Sequence, residues 1–251
     1  MVYFVGAGSG APDLITVRGE RLLKEADVVI YAGSLVNPAL LSVCKEETEI
    51  YDSAKMTLEE VIDVIKEAEK SGRMTVRLHT GDPSIYGAIR EQMDALKACG
   101  ISWEVCPGVS SMSAAAAALS LEYTLPGVSQ TVIVSRIAGR TPVPEKEELA
   151  KLAAIGATLV LFLSSGYTKE VREELLKGAY TEETKCALVY KASWPEQKVV
   201  RTTLGALPEA AEEAGINKTA LIIVGDVLGD DYELSKLYDA HFSTGYRDAK
   251  D

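Results

Sequence analysis

The chain has 251 residues, 47% hydrophobic and 25% charged, with 37 acidic against 26 basic side chains and a net charge of −11. That length supports one large or two modest cores, and the acidity excludes a general nucleic-acid binder, which needs a basic face. No apolar run approaches the ~20 residues of a membrane span, and no basic stretch precedes an apolar one after Met1, so a cytoplasmic protein is expected, with no signal peptide and no membrane partner.

In chain order, the spacing predicts a strand over 2–6, then the loop Gly6-Ala7-Gly8-Ser9-Gly10-Ala11-Pro12-Asp13-Leu14-Ile15, then a helix over 17–25 capped by Thr16. Strands follow over 27–31 and 48–51. The helix over 57–70 sets Leu58, Val61, Ile62 and Ile65 on one side, with Glu59, Glu60, Asp63, Lys66 and Glu67 mostly opposite. Thr57 caps it and Glu60 completes a capping box. A strand over 74–79 leads into Thr80-Gly81-Asp82-Pro83-Ser84-Ile85-Tyr86-Gly87 and a helix over 85–98. A strand over 102–106, the turn Pro107-Gly108-Val109-Ser110-Ser111 and an alanine-rich helix over 110–119 close the first half. Such alternation implies a parallel sheet covered on both faces. Ligands bind outside the carboxyl ends of parallel strands, and glycine there permits close approach to the backbone.

Leu121–Gly127 reads as a connection between domains. Beyond it, strands are expected over 130–136, 157–163, 185–191, 198–204 and 219–225, with helices over 145–154, 167–177 and 206–214. The strands flanking Ser193-Trp194-Pro195-Glu196-Gln197 read as an antiparallel hairpin. The fold class is therefore α/β in two domains, 1–120 with a mainly parallel sheet and 121–251 with a mixed sheet. Cys44, Cys99, Cys106 and Cys186 form no C-x-x-C pair, and His79 and His241 lie far apart. No protein-bound metal is expected; the cysteines read as buried small apolar residues.

Gly6, Gly8 and Ala11 satisfy the dinucleotide pattern G-x-G-x-x-G/A. Pro12-Asp13-Leu14-Ile15 nevertheless separates them from the helix start, and the second strand, Val28–Gly33, ends without an acid for a ribose. No Gly-Lys-Ser/Thr follows either, which excludes a P-loop. Taken in order, Gly6-x-Gly8-x-Gly10-x-x-x-Leu14-Ile15-Thr16, Arg77-Leu78-x-x-Gly81-Asp82-Pro83-x-x-Tyr86-Gly87 and Pro107-Gly108-Val109-Ser110-Ser111 resemble the three signatures of the tetrapyrrole (corrin/porphyrin) methylases. The resemblance runs over nearly the whole chain. Ser9 departs from that pattern, where proline is usual, and so does Ala11, where an acid is usual. With these departures, residues 32–37 and 139–144 look most like the branch that methylates C-11 of precorrin-4 or cobalt-precorrin-4. Methylation of uroporphyrinogen-III or of a different precorrin carbon, and a non-catalytic tetrapyrrole- or SAM-binding module, stay open alternatives.

The resemblance implies S-adenosylmethionine (SAM) as methyl donor, a tetrapyrrole substrate and a homodimer. It implies donor contacts from Ser9, Thr80, Gly81, Asp82 and Ile85, and from Ser110 and Ser111. From the residues alone, Asp82 reads equally as a cap of the next helix and Ser110 as a cap of the helix after it. The resemblance also places Leu163, Ala192, Thr219 and Ala220, which read as strand-end residues, around adenine. Tyr86, Tyr123, Arg136 and Arg140 are candidates for the substrate: aromatics stack on a flat ring and arginine grips carboxylates. A polycarboxylate substrate meets a strongly acidic chain, so its cations must cluster locally. No residue is assigned as catalytic base.

Overall fold

In a computed structural model of the chain, residues 1–33 and 35–250 are described; Ser34, within the 32–37 segment, and Asp251 lie outside them. The chain divides into two compact units, Met1–Ala115 with Lys191–Gln197, and Ala116–Tyr190 with Lys198–Asp251.

Strands β1 (Val2–Gly6), β2 (Val28–Tyr31), β3 (Glu49–Asp52), β4 (Thr75–His79) and β5 (Trp103–Cys106) form a parallel sheet in the order β3-β2-β4-β1-β5. Between them run α1 (Val17–Glu25), α2 (Leu58–Lys70) and α3 (Ile89–Ala98), and α4 (Ser111–Leu119) follows β5. Side chains alternate across the central strands. Val5, Val76 and Leu78 pack with Leu22 and Leu23 of α1 on one face. Phe4 and Ile30 pack with Val61, Ile62 and Ile65 of α2 and Leu96 of α3 on the other. Each fully buried aliphatic side chain contributes about 1.5–3 kcal/mol. Both expected caps form: Thr16 Oγ1 accepts from Gly19 N at 3.0 Å, and Thr57 and Glu60 close a capping box.

The helix expected from 85 starts only at Ile89. Tyr86 and Ala88 have φ of +53° and +49°, and Gly87 lies so close to Pro83 that a Cβ would stand 2.9 Å from its carbonyl carbon. The helix-compatible sequence of 85–88 yields to a tight turn. The cysteine reading holds for Cys106 and Cys186, which are buried; Cys44 is half-buried and Cys99, just past α3, is exposed.

In the second unit, β6 (Val132–Ser135), β7 (Thr158–Leu161), β8 (Lys185–Tyr190), β9 (Lys198–Thr203) and β10 (Ala220–Val224) form a mixed sheet ordered β6-β7-β10-β8-β9. β6 and β7 are parallel; β10 runs antiparallel to β7 and β8; β8 and β9 make the expected hairpin. α5 (Leu149–Ala153), α6 (Thr168–Leu175) and α7 (Leu207–Glu213) bury Leu149, Val171, Leu175 and Leu207 against Leu159, Leu161, Leu188 and Ile222. The helix expected over 145–154 splits: Glu145–Glu147 is a single 3-10 turn, and α5 begins after it. Among the described residues, no helix is long and apolar enough to cross a membrane.

Candidate functional site

The loops after β1, β4 and β5 meet at the carboxyl edge of the first sheet, where those strands are neighbours. Gly81 N donates to Gly8 O at 2.8 Å and Gly8 N donates to Gly81 O at 3.3 Å, an isolated bridge between the first two loops. The third loop is tied in by Asp82, whose Oδ2 accepts from Gly108 N at 2.9 Å. Its Oδ1 accepts from Ser84 N at 2.8 Å and from the Ser84 hydroxyl. Asp82 therefore caps no helix, since α3 starts well beyond it; it fastens its own turn and the loop after β5. Burial pushes the Asp82 carboxyl up, but the hydrogen bonds from Ser84 and Gly108 outweigh it and hold the group below the ordinary aspartate value.

Glycine serves two purposes here. A Cβ on Gly6 would lie 2.6 Å from Gly81 O and 2.5 Å from Gly108 Cα, so Gly6 and Gly108 let the loops approach one another. Gly81 has φ of +60° with nothing nearer than 3.6 Å to its Cβ position, so it is needed for its conformation. Its neighbours there are Ser111 N and Ser110 Cα. Ser110 does act as a cap, accepting from Met112 N through Oγ at 3.4 Å. Thr80 Oγ1 donates to Leu35 O at 3.1 Å. Gly81, Asp82, Thr80, Ser110 and Ser111 are thus brought together, with Ile85 closing the turn by its N–H to Asp82 O at 3.2 Å. The cluster fits the proposed donor: main-chain atoms unshielded by side chains, next to a carboxylate held ionised, suit a ligand carrying a sulfonium and an ammonium. Tyr86 is 46% exposed on the following turn.

Beneath these loops β4 buries Arg77 and His79. Arg77 Nε donates to Gln92 Oε1 and Nη1 to Ile30 O, both at 3.0 Å; burial lowers its pKa to about 10. His79 packs its ring 5.9 Å from that of Phe4. Burial, then the Arg77 charge, lowers the His79 pKa to about 3, so the imidazole is neutral and remote from any role as base near neutral pH.

In the second unit two left-handed residues, Leu163 and Thr219, fall at one sheet edge. β7 ends at Leu161 and β8 at Tyr190, shorter than the apolar runs suggest. Leu163, two residues past β7, has φ of +52° and is 63% exposed. Thr219, just before β10, has φ of +56°. The register sets Ile222 opposite Leu161 and Ala220 opposite Tyr190, so these residues share an edge. Left-handed non-glycine residues persist only where surroundings impose them, and they cluster at ligand sites. Arg136 follows β6 and donates from Nη1 to Thr141 O at 3.1 Å and from Nη2 to Pro142 O at 2.6 Å, so it braces its own loop. Arg140, on that loop, is exposed. Tyr123 is not brought to Arg136: its carbonyl accepts from Thr158 Oγ1 at 3.0 Å, at the amino end of β7. Burial pushes the Tyr123 hydroxyl up to about 12.

Ser9 is buried, and its hydroxyl shares a hydrogen bond with Ser193 Oγ at 2.9 Å. Ala192, also buried, precedes Ser193 in the Lys191–Gln197 turn, which belongs to the first unit. Local pattern gives Ser193 and Trp194 only a place in a hairpin turn, and Asn37 only a place in the 32–37 segment, yet all three touch the first loop. The available signal was Trp194 itself, a large aromatic in a polar hairpin turn, which needs some surface to pack on.

The family model of the Tetrapyrrole (Corrin/Porphyrin) Methylases matches residues 1–208. A cobalt-precorrin-4 C(11)-methyltransferase of Methanocaldococcus jannaschii is 55% identical over 98% of this chain and 95% of its own. The X-ray structure of a cobalt precorrin-4 methyltransferase superposes with a TM-score of 0.89 at 48% identity, covering 91% of this chain and 96% of that one. The uroporphyrin-III C-methyltransferase of Thermus thermophilus, complexed with S-adenyl homocysteine, gives 0.77 at 30% identity, covering 90% and 92%.

Proposed function

We propose, since this chain belongs to the tetrapyrrole (corrin/porphyrin) methylases, that it transfers a methyl group from SAM to C-11 of precorrin-4 or its cobalt complex in corrin-ring synthesis. The observation that carries this reading is near end-to-end similarity to C-11 methyltransferases, in a chain whose three glycine loops close into one cluster. SAM, when bound, supplies a methyl already activated by a sulfonium: as the bond to C-11 forms the carbon–sulfur bond breaks, S-adenosylhomocysteine leaves and one proton is lost from the product, so no nucleophile of the chain is needed. The protein contributes alignment of the acceptor carbon with that methyl, an entropic advantage, and exclusion of water.

Gly81, Asp82 and the Ser110–Ser111 turn are proposed to hold the donor, with Thr80 and Ile85 fixing that turn from either side. The left-handed Leu163 and Thr219, with Ala192 and Ala220, are proposed for its adenosine. Tyr86 and Arg140, both exposed, are proposed for the ring and a carboxylate of the substrate. The chain is proposed to act in the cytoplasm as a homodimer, which the exposed Leu234, Leu237, Tyr238 and Tyr246 support by offering apolar surface to a second copy; sedimentation as a monomer at micromolar concentration would refute the dimer. Incubation with isotopically labelled SAM and a panel of tetrapyrroles tests the reaction. One methyl per precorrin-4, located at C-11 by NMR, is expected; a methyl on another carbon, or none on any tetrapyrrole, would overturn the reading.

A further inference from the structure

The first loop departs from the family pattern at Ser9 and Ala11, and the chain itself grips that stretch. Asn37 Nδ2 donates to Gly10 O at 2.8 Å. Trp194 Nε1 donates to Ser9 O at 3.0 Å. Ser193 Oγ accepts from Ala11 N at 3.1 Å while bonding Ser9 Oγ. Gly10 has φ of +153°, and a Cβ there would stand 2.8 Å from Trp194 Cγ, so the indole takes the place of a side chain. The gripping turn is itself held in an unfavourable shape. Lys191 and Ser193 have φ of +45° and +69°; Ser193 N donates to Gln197 Oε1 at 2.7 Å; Lys191 Nζ lies 5.0 Å from the Trp194 ring centroid and pairs with Glu196 at 3.2 Å. Such conformations survive only where neighbours over-determine them.

We propose that Ser193, Trp194 and Asn37 form a clamp that fixes residues 9–11 as a rigid wall for the tetrapyrrole and so sets which acceptor the enzyme takes. This rests on the function proposed above. The Ser9 hydroxyl and carbonyl, the Gly10 carbonyl and the Ala11 amide are all satisfied within the chain, so Ser9, 7% exposed, acts through shape rather than as a ligand group. A relative that acts on uroporphyrin-III was solved with S-adenyl homocysteine. The donor is therefore common to branches with different acceptors, and departures from the shared loop pattern bear on the acceptor. A preorganised wall spares the ligand the entropy of ordering that loop.

Two variants isolate the clamp. Trp194→Phe keeps a ring against Gly10 and removes the donor to Ser9 O. Ser193→Gly removes the hydroxyl and its two hydrogen bonds while relieving the left-handed φ, and thermal unfolding measured beside the kinetics shows that each variant is folded at the assay temperature. Trp194→Phe is expected to raise KM for precorrin-4 about fivefold, the weight of one hydrogen bond, and Ser193→Gly, which removes two, by at least as much; both are expected to lower the preference for precorrin-4 over uroporphyrinogen-III. Calorimetry should show the affinity for S-adenosylhomocysteine within about twofold of wild type, well under the effect of one hydrogen bond. Unchanged KM and preference in both variants, or an equal loss of S-adenosylhomocysteine affinity, would overturn the clamp. Wild-type enzyme that methylates no tetrapyrrole would instead sink the underlying reading, and the clamp with it.

Discussion

Gly6→Ala and Gly81→Ala separate the two reasons for glycine in the three-loop cluster. Gly6 ends β1, and an added Cβ would meet Gly108 Cα at 2.5 Å and both Gly108 N and Gly81 O at 2.6 Å. All three are main-chain atoms, and ordinary contact begins at 3.4 Å, so the loops must part by most of an ångström. Overpacking of this kind costs about 1–3 kcal/mol. Parting also strains the Gly8–Gly81 bridge, whose two hydrogen bonds are worth about 1 kcal/mol each. A total near 3–5 kcal/mol is expected, a large share of a typical domain's stability of about 5–15 kcal/mol. Gly81→Ala meets nothing closer than 3.6 Å but must hold φ of +60°, at about 1–2 kcal/mol. Urea unfolding reads the difference in midpoint, and calorimetry with S-adenosylhomocysteine reads the site. Gly6→Ala should be much the less stable and lose at least about tenfold in affinity, the equivalent of 1.4 kcal/mol; Gly81→Ala should stay folded yet bind more weakly than wild type, because its methyl covers main-chain atoms proposed to meet the donor. A Gly6→Ala protein as stable as wild type, or one outlasting Gly81→Ala, would refute the steric account.

His79 makes stability acid-sensitive: from an ordinary value of 6.5 its pKa falls to about 3 on folding, so below pH 6.5 the unfolded chain takes up a proton that the folded chain refuses. Stability contributed by the neutral imidazole is therefore full above pH 6.5 and is lost toward pH 3, by up to about 4–5 kcal/mol; His79→Phe should flatten that slope in urea midpoints taken between pH 7.5 and 4.5, and an identical slope would refute it. Arg140→Ala should raise KM for the tetrapyrrole a few-fold and weaken its salt dependence, as expected for a partly exposed charge pair worth about 1 kcal/mol, with S-adenosylhomocysteine affinity unchanged. Arg136→Ala removes the braces to Thr141 O and Pro142 O, so it should raise KM and expose residues 137–142 to protease; resistance equal to wild type would show that the loop holds itself.

The elements were legible where their cause is local. Apolar runs mark β1, β2 and β4, buried on both faces, and Thr16 and Thr57 announce helix starts that form as written. The site was less legible because its parts are fixed by partners far along the chain. Asp82 has the look of a helix cap, yet one of its oxygens goes to Gly108, 26 residues on. In Ile85–Ala88 only Gly87 speaks against helix, yet Tyr86 and Ala88 turn left-handed and Gly87 packs against Pro83. Leu163 prolongs an apolar run, but its φ of +52° turns a hydrophobic side chain outward. Ser9 and Ser193 stand 184 positions apart and bond through hydroxyls that no periodicity could pair. Even the glycines, correctly read as marking close approach, mislead about what approaches. Gly6 and Gly108 admit each other's loops, and Gly10 admits Trp194, so these glycines first shape the protein against itself. The donor is proposed to meet the surface that this closure leaves, formed by Gly81, Asp82 and the serine turn. That order of construction is why the clamp, beside Ala192, and the Gly6 contact, against Gly81 and Gly108, are the places where substitution should tell most about the chemistry.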